Sequence, residues 1–174
     1  MVCAIASGYR GTVEPRKQSF SPVVDGEVRL LVLGSLPGER SLAERRYYAH
    51  PQNQFWRLMG GVLGMDLVSL GYEARLAALQ ERHVGLWDTV AAAHRPGSLD
   101  ADIRLAEASD LAGLATELPS LRAIAFNGAT SARIGRRQIG ETSLALVDLP
   151  SSSPAYTLSF DEKLERWRSL RPYI

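Results

Sequence analysis

One cysteine, Cys3, in 174 residues has no partner for an internal disulfide and gives no basis for a cysteine-rich zinc site. The three histidines, His50, His83 and His94, lack metal-ligand spacing, so no metal is expected. No apolar run approaches the roughly 20 residues that span a bilayer, so no membrane association is expected. Lysine is scarce: Lys17 and Lys163 are the only two among 20 basic residues, and the net charge is only +1. No global basic field is therefore available to hold a polyanion, and any phosphate contact has to be local. No GxxxxGK[ST] loop occurs, because Gly38 is followed by Glu39, Arg40 and Ser41. The absence of GxGxxG and GxSxG weakens dinucleotide and serine-hydrolase readings. The chain opens on a short apolar stretch with no basic residue before it, which makes a poor secretory signal. The expectation is a cytoplasmic protein with a flexible leader over residues 1–19 and one domain over 20–174.

Hydrophobic and charged contents of 45% and 22% are those of an ordinary globular domain. Four short apolar runs, at 28–34, 84–87, 121–126 and 144–149, lack clean alternation, as strands covered on both faces should. Between them the spacing predicts helices over 54–63, 72–82, 102–118, 129–136 and 160–170. The longest rests on Ile103, Ala106, Leu111, Leu114 and Leu118. Strands alternating with helices predict a three-layer α/β/α sandwich around a four-stranded, mainly parallel sheet.

Ligands bind such sheets at the carboxyl ends of the strands. There the sequence places Gly34-Ser35-Leu36-Pro37-Gly38, then Asp88, then Asn127-Gly128, then Ser151-Ser152-Ser153 between two prolines. A fifth segment, YYAHPQNQFW (47–56), sets carboxamides beside aromatic rings. Glycines and carboxamides next to rings suit a flat polar heterocycle on a phosphate backbone. Arg133, Arg136 and Arg137 form a basic cluster that is either a solvated helix face or a phosphate contact.

In order along the chain, GSLPGERSL, YYAHPQNQFW, GLWDTV, RPGSLDADI, FNG and LPSSSPA resemble the uracil-DNA glycosylase superfamily, most closely its hypoxanthine-DNA glycosylase branch. The resemblance covers about residues 20–167. It implies a monomeric enzyme of base-excision repair whose partner is DNA containing deaminated bases. Such an enzyme needs no cofactor and hydrolyses the N-glycosidic bond of an everted base: hypoxanthine first, then uracil or xanthine. Mismatch-specific relatives carry an asparagine in the glycine loop where this chain has Leu36, so the resemblance implies that Asn53 takes over as the residue that positions water. Asn53 can also be read as a helix cap.

Relatives place a base-reading asparagine at the strand end occupied here by Asp88. An ionised carboxylate only accepts hydrogen bonds, so it would pair with the ring N–H of hypoxanthine or uracil and repel the lone pair of adenine. It does not exclude guanine, and a helix cap or ion pair is the other reading of Asp88. Gly34, Ser35, Leu36, Gly38 and Asn127 complete the expected base site, with Phe55 or Tyr48 as stacking platform and Trp56 in the core. Asn127 also fits a purely structural strand-exit turn. Ser151, Ser152 and Ser153 resemble the loop that grips DNA phosphates, without the histidine of the classical uracil enzymes. Tyr156, where the nearest branch has asparagine, is either a wedge into the base stack or a packing residue. With no lysine expected near the site, Schiff-base chemistry has no nucleophile and the enzyme should be monofunctional. Two rivals stand beside this reading: a hydrolase of free nucleosides or nucleotides, and a non-catalytic binder of damaged DNA.

Overall fold

The computed structural model describes residues 16–174, so Cys3 and most of the expected leader lie outside it. Its centre is a sheet of four parallel strands: β2 (Leu30–Gly34), β3 (Val84–Asp88), β6 (Ala123–Asn127) and β7 (Ala145–Leu149), in the order β3-β2-β6-β7. Leu30, Leu31, Val32 and Leu33 of β2 are all buried, which requires cover on both faces. Alternate residues supply it. Leu30 and Val32, with Leu86 and Ala125, pack under α2 (Phe55–Leu63), α3 (Tyr72–Glu81) and α6 (Phe160–Trp167). Leu31, Leu33, Ile124 and Phe126 face α4 (Leu111–Glu117) and α5 (Ala129–Ile139) on the other side. The result is the expected α/β/α sandwich.

A second sheet adds to this frame. Past Asp88 the chain runs straight into β4 (Val90–His94), which pairs antiparallel with β1 (Lys17–Gln18) on one side and β5 (Arg104–Ala108) on the other. This corrects the helix expected over 102–118. Its first part is a strand exposed at all five positions, with Leu105 at φ 48°, and only Leu111–Glu117 is helical. Asp110 starts that helix by accepting from Gly113 N at 2.9 Å. The leader boundary at residue 19 also moves. Lys17 and Gln18 pair with Ala93 and Ala92, and Ser19 N donates to Ala91 O at 2.8 Å, so these residues belong to the fold.

Candidate active site

The register of the parallel sheet sets Gly34 beside Asp88, and Leu33 beside Phe126, which brings the exits of β3, β2 and β6 side by side. Over these exits lies a cavity of about 300 Å³. Its wall includes the 34–38 loop, Tyr48, Asn53, Asp88, Asn127 and the 151–153 loop. Asn53 and Asp88, 35 residues apart in the chain, therefore face one space.

Asp88 forms the floor and is 3% exposed. Its Oδ2 accepts from Ser19 Oγ at 2.5 Å, and a methyl group on Gly34 would run into its Oδ1. Only glycine leaves room for the carboxylate there. Burial pushes the Asp88 carboxyl from 3.8 up to about 7, against the opposing pull of the Ser19 hydrogen bond.

Asn53 sits just before α2, where its Oδ1 accepts from Phe55 N at 3.0 Å. The side chain thus makes a helix-start bond, yet its amide group and the second lone pair of Oδ1 remain for another partner. Its segment is tied down from behind. Gln54 N donates to Ser152 O at 3.0 Å, and the Asn127 side chain clasps Ser152 by two bonds of 2.8 Å each, Nδ2 to Oγ and Oδ1 from N. The exits of β6 and β7 therefore position the start of α2.

Several expected contacts are redistributed. Phe55 is 0% exposed, off the cavity wall, and covered by the Tyr48 ring at 3.7 Å between centroids and 9° between planes. It cannot stack on a base. Tyr48, at φ 53°, lines the cavity together with Tyr47, and its buried hydroxyl faces Asn127 without completing a hydrogen bond. Ser152 is 1% exposed and bound to Asn127, so it holds the loop rather than a phosphate. Ser151 Oγ and Ser153 Oγ accept from the N–H groups of Ser153 and Ala155, which leaves each hydroxyl proton free to donate. Leu36 lines the cavity but packs its side chain against Val90 and Ala93. Tyr156 is 45% exposed, beyond the cavity wall, and within 5.5 Å of Lys163 Nζ. Trp56 lies in the main core. Arg136 is committed to Asp148 and Leu146 O, while Arg133 and Arg137 are exposed.

Four residues that matter here escaped the sequence reading. Arg95, fully buried, donates to Leu36 O at 3.0 Å, to Pro37 O and to Gly97 O at 3.2 Å, and so fixes the 34–38 loop by its carbonyls. Asp100 faces that guanidinium and accepts from Ser35 Oγ at 2.6 Å; burial raises its pKa. Lys163 corrects the view that no lysine is near: from α6 its Nζ donates to Tyr156 O at 2.8 Å, behind the serine loop. Ser19 is the fourth. A faint signal existed for the lysine: in a chain so poor in lysine, both were worth tracing. Lys17 also braces the rim, bonding Gly97 O at 2.7 Å and Glu39.

The arrangement offers an acceptor on the floor, a carboxamide at the side and a ring across the cavity. The model of the uracil DNA glycosylase superfamily matches residues 21–171 of this sequence. The chain belongs to that superfamily. Among its relatives, a hypoxanthine DNA glycosylase of Methanosarcina barkeri is 39% identical over 155 residues, 87% of this chain and 96% of that protein. A hypoxanthine DNA glycosylase of Methanosarcina acetivorans is 42% identical over 112 residues, 64% of this chain and 71% of its own length. A solution NMR structure from Methanosarcina acetivorans, described as a candidate uracil DNA glycosylase, superposes with a TM-score of 0.80 at 35% identity. It covers 91% of this chain and 99% of that one.

Proposed function

We propose that this chain is a DNA glycosylase that everts a deaminated base, hypoxanthine foremost, and hydrolyses its N-glycosidic bond. The observation that carries the reading is the convergence of Asn53, Asp88, Tyr48, the 34–38 loop and the 151–153 loop on one cavity. The names of the two Methanosarcina relatives favour hypoxanthine over uracil and xanthine.

Pulling a base from the stack costs a few kcal/mol, which contacts with its faces and edge must offset. Tyr48 supplies a face, braced from behind by Phe55. Ionised Asp88 accepts from the purine N1–H; adenine, with a lone pair at N1, is repelled. Asn53 holds a water molecule through the free lone pair of Oδ1 and orients it toward C1′ of the deoxyribose. The carboxamide is no base at neutral pH, so its contribution is geometry. Water oxygen bonds to C1′, the C1′–N9 electron pair departs with the base, and the water gives up a proton as the base takes one up. Backbone N–H groups of the 34–38 loop stabilise the departing base. Ser151 and Ser153 hydroxyls donate to flanking phosphates.

The test is incubation with labelled oligonucleotides containing inosine, uracil or xanthine, followed by alkali cleavage at abasic sites. Strand scission fastest on inosine is the expected result. Release of base from free deoxyinosine monophosphate but not from DNA would instead identify a nucleotide hydrolase. Salt-sensitive DNA binding with no base released at all would make the chain a binder only.

A further inference from the structure

The segment over residues 16–23 does more than border the domain. It runs antiparallel along the free edge of β3 through a series of bonds. Besides the β1–β4 pairing, Val23 and Leu86 exchange backbone bonds of 2.9 and 3.0 Å, and Trp87 Nε1 donates to Phe20 O at 3.0 Å. Tyr47 Oη donates to Ser21 O at 3.2 Å, and the Phe20 ring meets the Tyr47 ring edge-on at 5.1 Å. Ser19 is thus held between two anchored stretches, with its Oγ 2.5 Å from Asp88 Oδ2.

We infer that Ser19 is a positioning residue of the active site, whose hydroxyl holds Asp88 as a hydrogen-bond acceptor aimed at the everted base. The inference rests on Asp88 as the base reader proposed above. A carboxyl can meet a base edge in two ways: ionised it accepts from N1–H of hypoxanthine, protonated it can donate to N1 of adenine. Which face it presents decides between damaged and ordinary purine. A hydroxyl donating to one oxygen stabilises the ionised form and fixes the rotation of the group, so the other oxygen keeps its direction. The close approach of Gly34 to Oδ1 fixes the same rotation from the opposite side.

The remaining charges around Asp88 do not duplicate this effect. From the connection between β4 and β5 come Asp100, which opposes ionisation, and Arg95, which favours it. Arg95 is already spent on the loop carbonyls. From the stretch before α2 come the Tyr47 and Tyr48 hydroxyls, both kept protonated by burial and by Asp88 itself. His50 and Glu39 lie further along the cavity wall, and Glu39 is paired with Lys17. Of these groups, only Ser19 makes a hydrogen bond to the Asp88 carboxyl.

Titration of the Asp88 carboxyl carbon by ¹³C NMR tests the inference, with the resonance assigned by its loss in D88N. In S19A the midpoint should move up by about one pH unit, a tenfold change in proton affinity. S19T, which keeps the hydroxyl, should return it toward wild type. Single-turnover release of hypoxanthine should show an acid limb that moves with the same midpoint and vanishes in D88N. An unchanged Asp88 midpoint in S19A would overturn the role of Ser19 and leave Asp88 in place as base reader. A midpoint that moves while the acid limb survives D88N would remove the base-reading role and keep the Ser19–Asp88 coupling. Thermal melting of S19A beside wild type establishes that both titrations report a folded protein.

Discussion

At the residue scale, the proposed mechanism divides the chemistry between the geometry of Asn53 and the charge of Asp88, and each part can be measured. Asn53→Ala removes the carboxamide proposed to hold water but leaves the serine loop intact. Base release should fall by about 100-fold or more, while DNA binding by fluorescence anisotropy changes little. The Phe55 N–H loses its acceptor too, so a small drop in melting temperature accompanies it. Asp88 makes a separate prediction about stability. Its carboxyl is raised from 3.8 to about 7, so between those values the folded state holds a proton that the unfolded state has released. Stability therefore declines as pH rises from about 4 to about 7, by on the order of 4 kcal/mol, and is level above. Urea midpoints at pH 5 and pH 8 check this, and D88N should flatten the difference. Asp88 was legible because an acid directly after an apolar strand run is conspicuous. Ser19 was not, because nothing local distinguishes a serine in a polar stretch from one that meets a carboxylate 69 positions away.

At the element scale, legibility followed burial. The inner strands β2 and β6 show as apolar runs because both their faces are covered, whereas the edge strand β7 is mostly half-buried with Asp148 exposed. β5 is exposed at every position and is held by backbone pairing to β4, so its side chains carry no period-two signal. The near-helical spacing of Ile103, Ala106 and Leu111 filled that gap with a helix that does not form. β1 has two residues and α1 (Glu39–Glu44) six, too short for any pattern to register. The hairpin missed in this way carries Arg95 and Asp100, the clamp on the 34–38 loop. Arg95→Ala strands buried carbonyls at Leu36 and Pro37 and should cost on the order of 3 kcal/mol by denaturant melting. Arg95→Lys keeps the charge but cannot fork to both carbonyls. It should leave a folded protein whose base release is about tenfold slower, a loss in rate rather than in DNA affinity.

At the scale of the whole molecule, a net charge of +1 supplies no long-range pull toward DNA. The contacts available at the rim are the serine hydroxyls, backbone N–H groups and Arg40, which is paired with Glu44, while Arg133 and Arg137 are exposed outside the cavity wall. Two or three neutralised phosphates would give a shallow salt dependence: affinity for inosine DNA should fall about 30-fold between 50 and 200 mM salt. A loss of a thousandfold or more would mean that many more phosphates than this are neutralised. Such a molecule binds through the site itself more than through its field, so much of its discrimination has to come from the everted base.

The strap that runs along the edge of β3 has a practical corollary. Deleting everything before residue 20, where the sequence first looks ordered, spares both apolar cores and the whole parallel sheet. The shortened protein would pass as native by circular dichroism while the carboxylate proposed to read the base loses its Ser19 hydrogen bond. Near neutral pH it would then spare hypoxanthine and begin to tolerate adenine: a repair enzyme made error-prone by trimming what looks like a tail.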